Sequence, residues 1–375
     1  MTRKKSDKRT LGERIGRWPL FGKIVAWVVP AILAFGGIMC WLWHLTSDPG
    51  KSAASIAATS LTIVGGVGAV AYLVIKYQER RQAERDEERE EDRLINAKMQ
   101  QAVDQLGSDK ASTRIAGVYA LADVADTYRG GYRQRVVDIL CGYMRSDRET
   151  YPLGADGKPV MDQPRSGDTD KAVESTIISV MRKHLRKEQK DGNGEISVRQ
   201  IVDDDQLWCD CAFDLHGTTF HEDVNLMEST FERYTNLRGS VFKGYTNFSK
   251  TSFNLVDFDE TTLNGYTNFS KATFKSLTSF DGAVFDDFAN FCETAFKSFA
   301  HLFGTTFRCK ATFLECQGMA FSLKGCRFNR KFRGTDAYEW GPIPIPEGND
   351  GLPTGAVWAD FPEEDNKNDD MAPAD

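Results

Sequence analysis

The stretch TNFSKATFKSLTSFDGAVF (267–285) decides how this chain folds. A ring stands at Phe269, Phe274, Phe280 and Phe285, and two residues before each stands a small side chain, Thr267, Ala272, Thr278 or Ala283. The pattern runs outward from there to Thr218 and Phe313. Its large positions are 220, 226, 231, 237, 242, 248, 253, 258, 263, 269, 274, 280, 285, 291, 296, 302, 307 and 313, and every minus-two partner is Ala, Ser, Thr or Val. Neither a helix of period 3.6 nor a flat strand of period 2 makes one large residue recur in this way. A short extended piece that turns a corner every five or six residues does, and it points the centre and its minus-two neighbour the same way. With that way inward, four faces close a square coil, and coils stack about 4.8 Å apart. Large centres alternating with small partners then fill the axis. Eighteen centres at four to a coil make four and a half coils of 21 or 22 residues. The half-matching segments AFDLHGTTF (212–220) and AFSLKGCRF (320–328) extend the solenoid to about 207–332. Stacked coils bury their core only against neighbours, so the ends need covers.

Segments such as TNFSKATF (267–274) and SFDGAVF (279–285) resemble the pentapeptide-repeat family. That resemblance implies a right-handed quadrilateral β-helix. The chain departs from the family pattern in its mostly Phe centres and in steps that alternate five and six. The resemblance also suggests a non-enzymatic binding module, an interaction scaffold whose rigid rod meets a cytoplasmic protein partner. The alternative it suggests is a DNA-mimicking inhibitor or protector of a type II topoisomerase, because some members bind DNA gyrase. That mechanism wants a strongly acidic rod, whereas 213–328 holds thirteen acids and eleven bases. No direct contact with nucleic acid is expected.

Outside the repeat, composition divides the chain. Residues 1–23 carry eight Lys/Arg against two acids. Residues 24–44 hold no charged side chain, and 53–75 form a second apolar run, each long enough to span a bilayer. A signal peptide is the competing reading of 24–44, but the apolar region is too long for one. Gly65-x-x-x-Ala69 and Ala54-x-x-x-Ala58 suit close helix approach. The expectation is therefore two transmembrane α-helices, a short external loop at 45–52, and an integral protein of the cell membrane. Basic outer flanks would hold both termini in the cytoplasm, and the eight cysteines would remain reduced. Residues 76–94 read as a charged helical stalk, with Arg81, Arg85, Arg89 and Arg93 in one stripe and no apolar heptad for a coiled coil. Residues 95–200 read as a helical domain. Three helices fill 95–146, a Gly/Pro loop spans 151–169, and a further helix over 170–188 is expected to cap the first coil. A similar segment precedes pentapeptide repeats in some bacterial membrane proteins. The β-helix is assigned to 201–333, and 334–375, with eleven acids against one Lys and six Pro, is expected to be disordered.

Candidate chemistry is sparse. Cys209, Cys211, His216 and His221 have zinc-ligand residue types, but the two histidines follow the centres Leu215 and Phe220 and should point outward on successive faces. DGNGEIS (191–197) has the middle of a calcium loop, yet Gln189 and Gln200 stand where the end ligands belong. Asp203, Asp204 and Asp205 suit a turn or cap. No nucleophile elbow, phosphate loop or HExxH is present. No catalytic residue, cofactor or metal is therefore assigned.

What remains is a docking surface. Six-residue steps end at alternate centres, so their inserted residues fall into two columns on opposite faces. One holds Tyr245, Tyr266 and Phe288 between Asp223 and Lys310. The other holds Tyr234, Leu277 and Phe299, with Leu255 at the matching place in a five-residue step. Exposed apolar columns mark contact surfaces, for a protein partner or for self-association. Inserts that instead fold over their corners would only staple the stack.

Overall fold

A computed structural model describes residues 20–45, 49–128, 130–148, 154, 158, 160–161, 170–190, 194–318 and 321–361. The chain divides into two compact units, Met1–Arg93 and Leu94–Asp375. Helix α1 (Leu20–Leu45) contains Pro30, and α2 (Pro49–Leu106) is one uninterrupted helix of 58 residues. Among the described residues no helix is long and apolar enough to cross a membrane. This corrects the two-span reading, and with it the cell-membrane location and the topology that places both termini in the cytoplasm. The first run contains Pro30, Gly36 and Gly37, and the second contains Gly65, Gly66, Gly68 and four Ser/Thr before it runs into the charged stretch. Two of those hydroxyls, on Thr59 and Thr62, donate to the carbonyls of Ser55 and Ala58, each at 2.9 Å. The basic stretch 1–19, the loop 46–48 and most of 151–169 lie outside the described residues.

Helices α3 (Ala111–Thr127), α4 (Gly131–Arg145) and α5 (Lys171–Leu185) follow, with Val118, Leu121, Val136, Val137, Leu140, Val173 and Ile177 fully buried between them. Gly117 marks the closest approach. A Cβ there would stand 2.6 Å from the backbone nitrogen of Leu106, so only glycine lets α3 cross the end of α2.

The solenoid has four faces, each a ladder of parallel two-residue strands. The first face stacks 219–220, 241–242, 262–263, 284–285, 306–307 and 327–329. The second stacks 224–225, 246–247, 267–268, 289–290 and 311–312. The third stacks 230–231, 252–253, 273–274 and 295–296. The fourth stacks 213–214, 235–236, 256–257, 278–279, 300–301 and 321–322. Every large centre from Phe220 to Phe313 is buried. Within a face the rings lie parallel, as in Phe248–Phe269–Phe291–Phe313 at 5.4, 5.1 and 5.2 Å. Between faces they meet edge-on, as Phe258 meets Phe269 at 5.5 Å and 86°, the two arrangements that ring quadrupoles favour.

The small partners do more than leave room. At two corners their side chains bond the centre carbonyl of the coil before: Thr251 to Leu226, Thr261 to Leu237, Thr294 to Phe269 and Thr305 to Phe280, all at 2.8–2.9 Å. Thr218 and Ser229 in the first coil have no coil before them, and their buried hydroxyls find no partner. The same axis leaves no room for growth. Ala283, fully buried, should lose about 1–3 kcal/mol on replacement by Phe, and Thr267→Phe should behave alike. Urea unfolding checks both, and an unchanged midpoint would contradict the inward assignment.

Open ladder edges invite pairing with other chains, and both ends of this rod are covered. At the start, Gln134 pairs both ways with the backbone of Ala212 at 2.9 Å, imitating a neighbouring strand. Met181 and Leu185 of α5 close over Phe213, Phe220 and Phe231. At the finish, 334–361 is ordered, which corrects the expectation of disorder for that part of the tail. Strand 338–339 extends the second face and 357–359 extends the first. Trp340 lies parallel to Phe313 at 6.2 Å and edge-on to Phe328 at 4.9 Å. A tail poor in aliphatics suffices because the last coil supplies the other half of the contact. Residues 362–375 lie outside the described part.

Candidate functional site

The corners decide which side chains face out. Between the second and third faces, and between the fourth and first, the chain turns in five-residue steps with one residue at positive φ. On the former corner that residue is Glu228, Lys250, Lys271, Glu293 or Glu315. Lys250 reaches Glu228 at 3.5 Å and Lys271 reaches Glu293 at 3.3 Å, a charged, solvated edge. The other two corners carry the inserted residues, so the two columns run along opposite corners of the rod.

The columns differ. In the first, Tyr245 stacks on Tyr266 at 5.4 Å and Tyr266 on Phe288 at 5.3 Å. All three rings are half-buried, and Asn290 donates to the Tyr266 hydroxyl at 3.2 Å. Close backbone stacking makes this possible. A Cβ on Gly265 would stand 2.5 Å from the carbonyl oxygen of Gly244, so the Gly-Tyr pairs let successive corners touch. In the second column Tyr234, Leu277 and Phe299 are 41%, 45% and 66% exposed, while Leu255 is half-buried and sits opposite Tyr234 in the ladder. Sequence reasoning missed Phe303, which is 62% exposed and shares the outward row of the fourth face with Phe299 and His301. The signal was present: the residue after each fourth-face centre is His216, Arg238, Asp259, Asp281 or Lys324 elsewhere, and phenylalanine only here.

The residues with metal-ligand chemistry are otherwise engaged. Cys209 Sγ lies 3.5 Å from the Leu185 carbonyl. His216 pairs with Asp214 at 2.7 Å, and His221 with Glu174 at 3.5 Å. Among the described residues no group of three or more His, Cys, Asp or Glu could hold a metal ion. Residues 191–193 lie outside the description, and their flanks form a two-stranded antiparallel hairpin of 189–190 with 196–198.

Burial pushes the thiols of Cys141, Cys209, Cys211, Cys316 and Cys326 up to about 12. Cys316 and Cys326 occupy the hydroxyl positions of the repeat and bond the carbonyls of Phe291 and Leu302 at 3.0 and 2.9 Å. A thiol raised above its unfolded value of about 8.5 contributes stability in full below that pH. The contribution is lost as pH rises through the folded value. Urea midpoints should therefore fall from about pH 8.5 upward, and Cys316→Thr, which keeps the carbonyl bond without the ionisation, should flatten the fall. An unchanged slope in that variant would remove the thiol as its cause.

A family described as pentapeptide repeats (9 copies) matches residues 215–262. The solenoid that this stretch begins continues well beyond the match, to 327–329 on the first face. No curated protein matches the chain.

Proposed function

We propose that the chain is a non-enzymatic protein–protein interaction scaffold, with the corner of Tyr234, Leu255, Leu277 and Phe299 as its contact surface. The observation that carries this reading is the contrast between two equivalent corners. One set of rings packs on its own neighbours, while the other leaves Leu277 and Phe299 facing solvent. A row of exposed apolar side chains on an otherwise polar surface suits partner binding, since burying it releases free energy only in a complex. A solenoid held by stacked rings and ladders along its whole length offers such a row without reorganising, which limits the entropy lost on association.

The test compares two variants by crosslinking capture from native extracts and by thermal melting. Leu277→Ser with Phe299→Ser should abolish capture and leave the melting temperature unchanged. Tyr245→Ser, Tyr266→Ser and Phe288→Ser together should lower the melting temperature, because they unstack a half-buried column. Capture that survives the first variant would overturn the assignment of the surface.

A further inference from the structure

The charged edge between the second and third faces meets the cover in a cluster that the apolar corner does not use. Where α5 ends, two arginines stand four residues apart, Arg182 in its last turn and Arg186 at its C-cap. Arg186 pairs with Glu228 of the first coil, and Lys250 of the next coil reaches the same carboxylate at 3.5 Å. Arg182 is half-buried and, among the described residues, has no hydrogen bond and no ion pair. Its Nε and that of Arg186 are both shut off from solvent without an acceptor. Burial, and then the charge of Arg186, lower the basicity of Arg182 from the usual arginine value, against the pull of Glu228. Basic residues suit the C-terminal end of a helix dipole, which accounts for their type. It does not account for a guanidinium drawn partly out of water with nothing to donate to, an arrangement that is costly until an anion arrives. Three cations share one carboxylate here, which leaves a charge of +2.

We propose that Arg182, Arg186 and Lys250 form a binding site for a phosphate dianion, either the free ion or the terminal phosphomonoester of a small molecule. The charge matches. A phosphomonoester carries about −1.5 to −2 at pH 7 and so balances the cluster, whereas a single carboxylate leaves it positive. The donors match as well. A guanidinium gives paired N–H groups to two oxygens of one phosphate, and a second guanidinium beside it serves the remaining oxygen. Lys250 adds a point charge from the rod. Arg182 and Arg186 belong to the cover and Lys250 to the second coil, so the bound anion ties the cover to the rod and stabilises the folded chain by mass action. The site lies on a different corner from the apolar row and stands or falls without it.

The experiment titrates inorganic phosphate and glycerol 3-phosphate into the full chain near pH 7, with ionic strength held low and constant by NaCl. Calorimetry and phosphorus NMR line widths read the binding. Saturable binding of one phosphate per chain is expected. Arg182→Gln should weaken it about tenfold, the loss of one charge-assisted contact, and Arg182→Lys should weaken it less. Glu228→Gln should tighten it, because the competing carboxylate is gone. That rise separates a site from general stabilisation by salt, which none of these variants would alter. Melting curves without phosphate show whether each variant is folded, and should Arg182→Gln not fold, the wild-type and Glu228→Gln titrations decide alone. Glycerol 3-phosphate that binds as well as phosphate identifies an organic phosphomonoester as the ligand, and binding of inorganic phosphate alone identifies the free ion. Absence of saturable binding at millimolar phosphate overturns the proposal, as does binding that Arg182→Gln leaves unchanged or that Glu228→Gln weakens.

Discussion

Phe269→Ala is expected to lower the unfolding free energy by about 3–5 kcal/mol, the range for deleting a fully buried ring. The site leaves little scope for relaxation. Phe269 is fully buried and parallel to Phe248 and Phe291 at 5.4 and 5.1 Å, with the edges of Phe258 and Phe280 at 5.5 and 5.7 Å. Closing the gap would require a coil to sink, but the coils are kept apart by their ladders. Phe269 N donates to Asn290 O at 2.7 Å, and Thr294 Oγ1 donates to Phe269 O at 2.9 Å. Both bonds belong to the backbone of the substituted residue and survive the change, so the cavity is held open. Phe269→Leu should cost less, because Leu stands at the equivalent centres 226, 237, 263 and 302. Urea unfolding of the full chain, followed by the loss of solenoid signal, measures both. A cost below about 1 kcal/mol for the Ala variant would mean that the stack can collapse and that the ladders are softer than their geometry implies.

The rod was legible in the sequence because a repeat states its geometry many times over. An inward ring with a small residue two before it is a local rule, and one exception would not have hidden it. The covers were harder to read for the opposite reason. Each occurs once and borrows half of its contact from the coil it covers. Tyr338, Trp340 and Trp358 sit in a stretch whose acids and prolines predict disorder, and they need only the face of the last coil to be buried. Composition, averaged over a window, does not register three residues aimed at one surface. For the contact corner, the two columns look alike as lists of inserted residues. What separates them at two of the three packed rings, Tyr245 and Tyr266, is the residue before the insert. KGY (243–245) and NGY (264–266) allow backbone to touch backbone, whereas KSL (275–277) and KSF (297–299) leave the apolar side chain standing out.

The start of the rod carries the other large effect. In later coils the amide after a first-face centre donates down to the coil before it, as Lys243 does to Phe220 O and Asn264 to Phe242 O, both at 2.9 Å. His221, the equivalent residue of the first coil, has no coil before it. Its amide and that of Glu222 donate instead to Glu174 Oε1, both at 2.8 Å. The carboxylate of α5 takes the place of a missing strand. Its other oxygen accepts from Arg148 at 2.7 Å, and Arg148 also reaches Asp170 at 3.3 Å and the Thr219 carbonyl at 2.5 Å. Both charged side chains are almost wholly buried, Glu174 at 1% and Arg148 at 4% exposure. Glu174→Ala leaves the guanidinium with Asp170 as its one carboxylate and strands two amides, and should cost about 3–5 kcal/mol, as removal of one partner from a buried pair does. Replacing both, Glu174→Met with Arg148→Met, removes the guanidinium as well and should cost less than the single change, leaving mainly the two unmet amides. Glu174→Gln keeps an acceptor for the amides and should fall between them. Urea unfolding of the three variants orders these costs. If the double variant proves as unstable as Glu174→Ala, the ion pair contributes nothing beyond its parts, and the cover is held by its other contacts, among them Met181, Leu185 and the Gln134–Ala212 pairing.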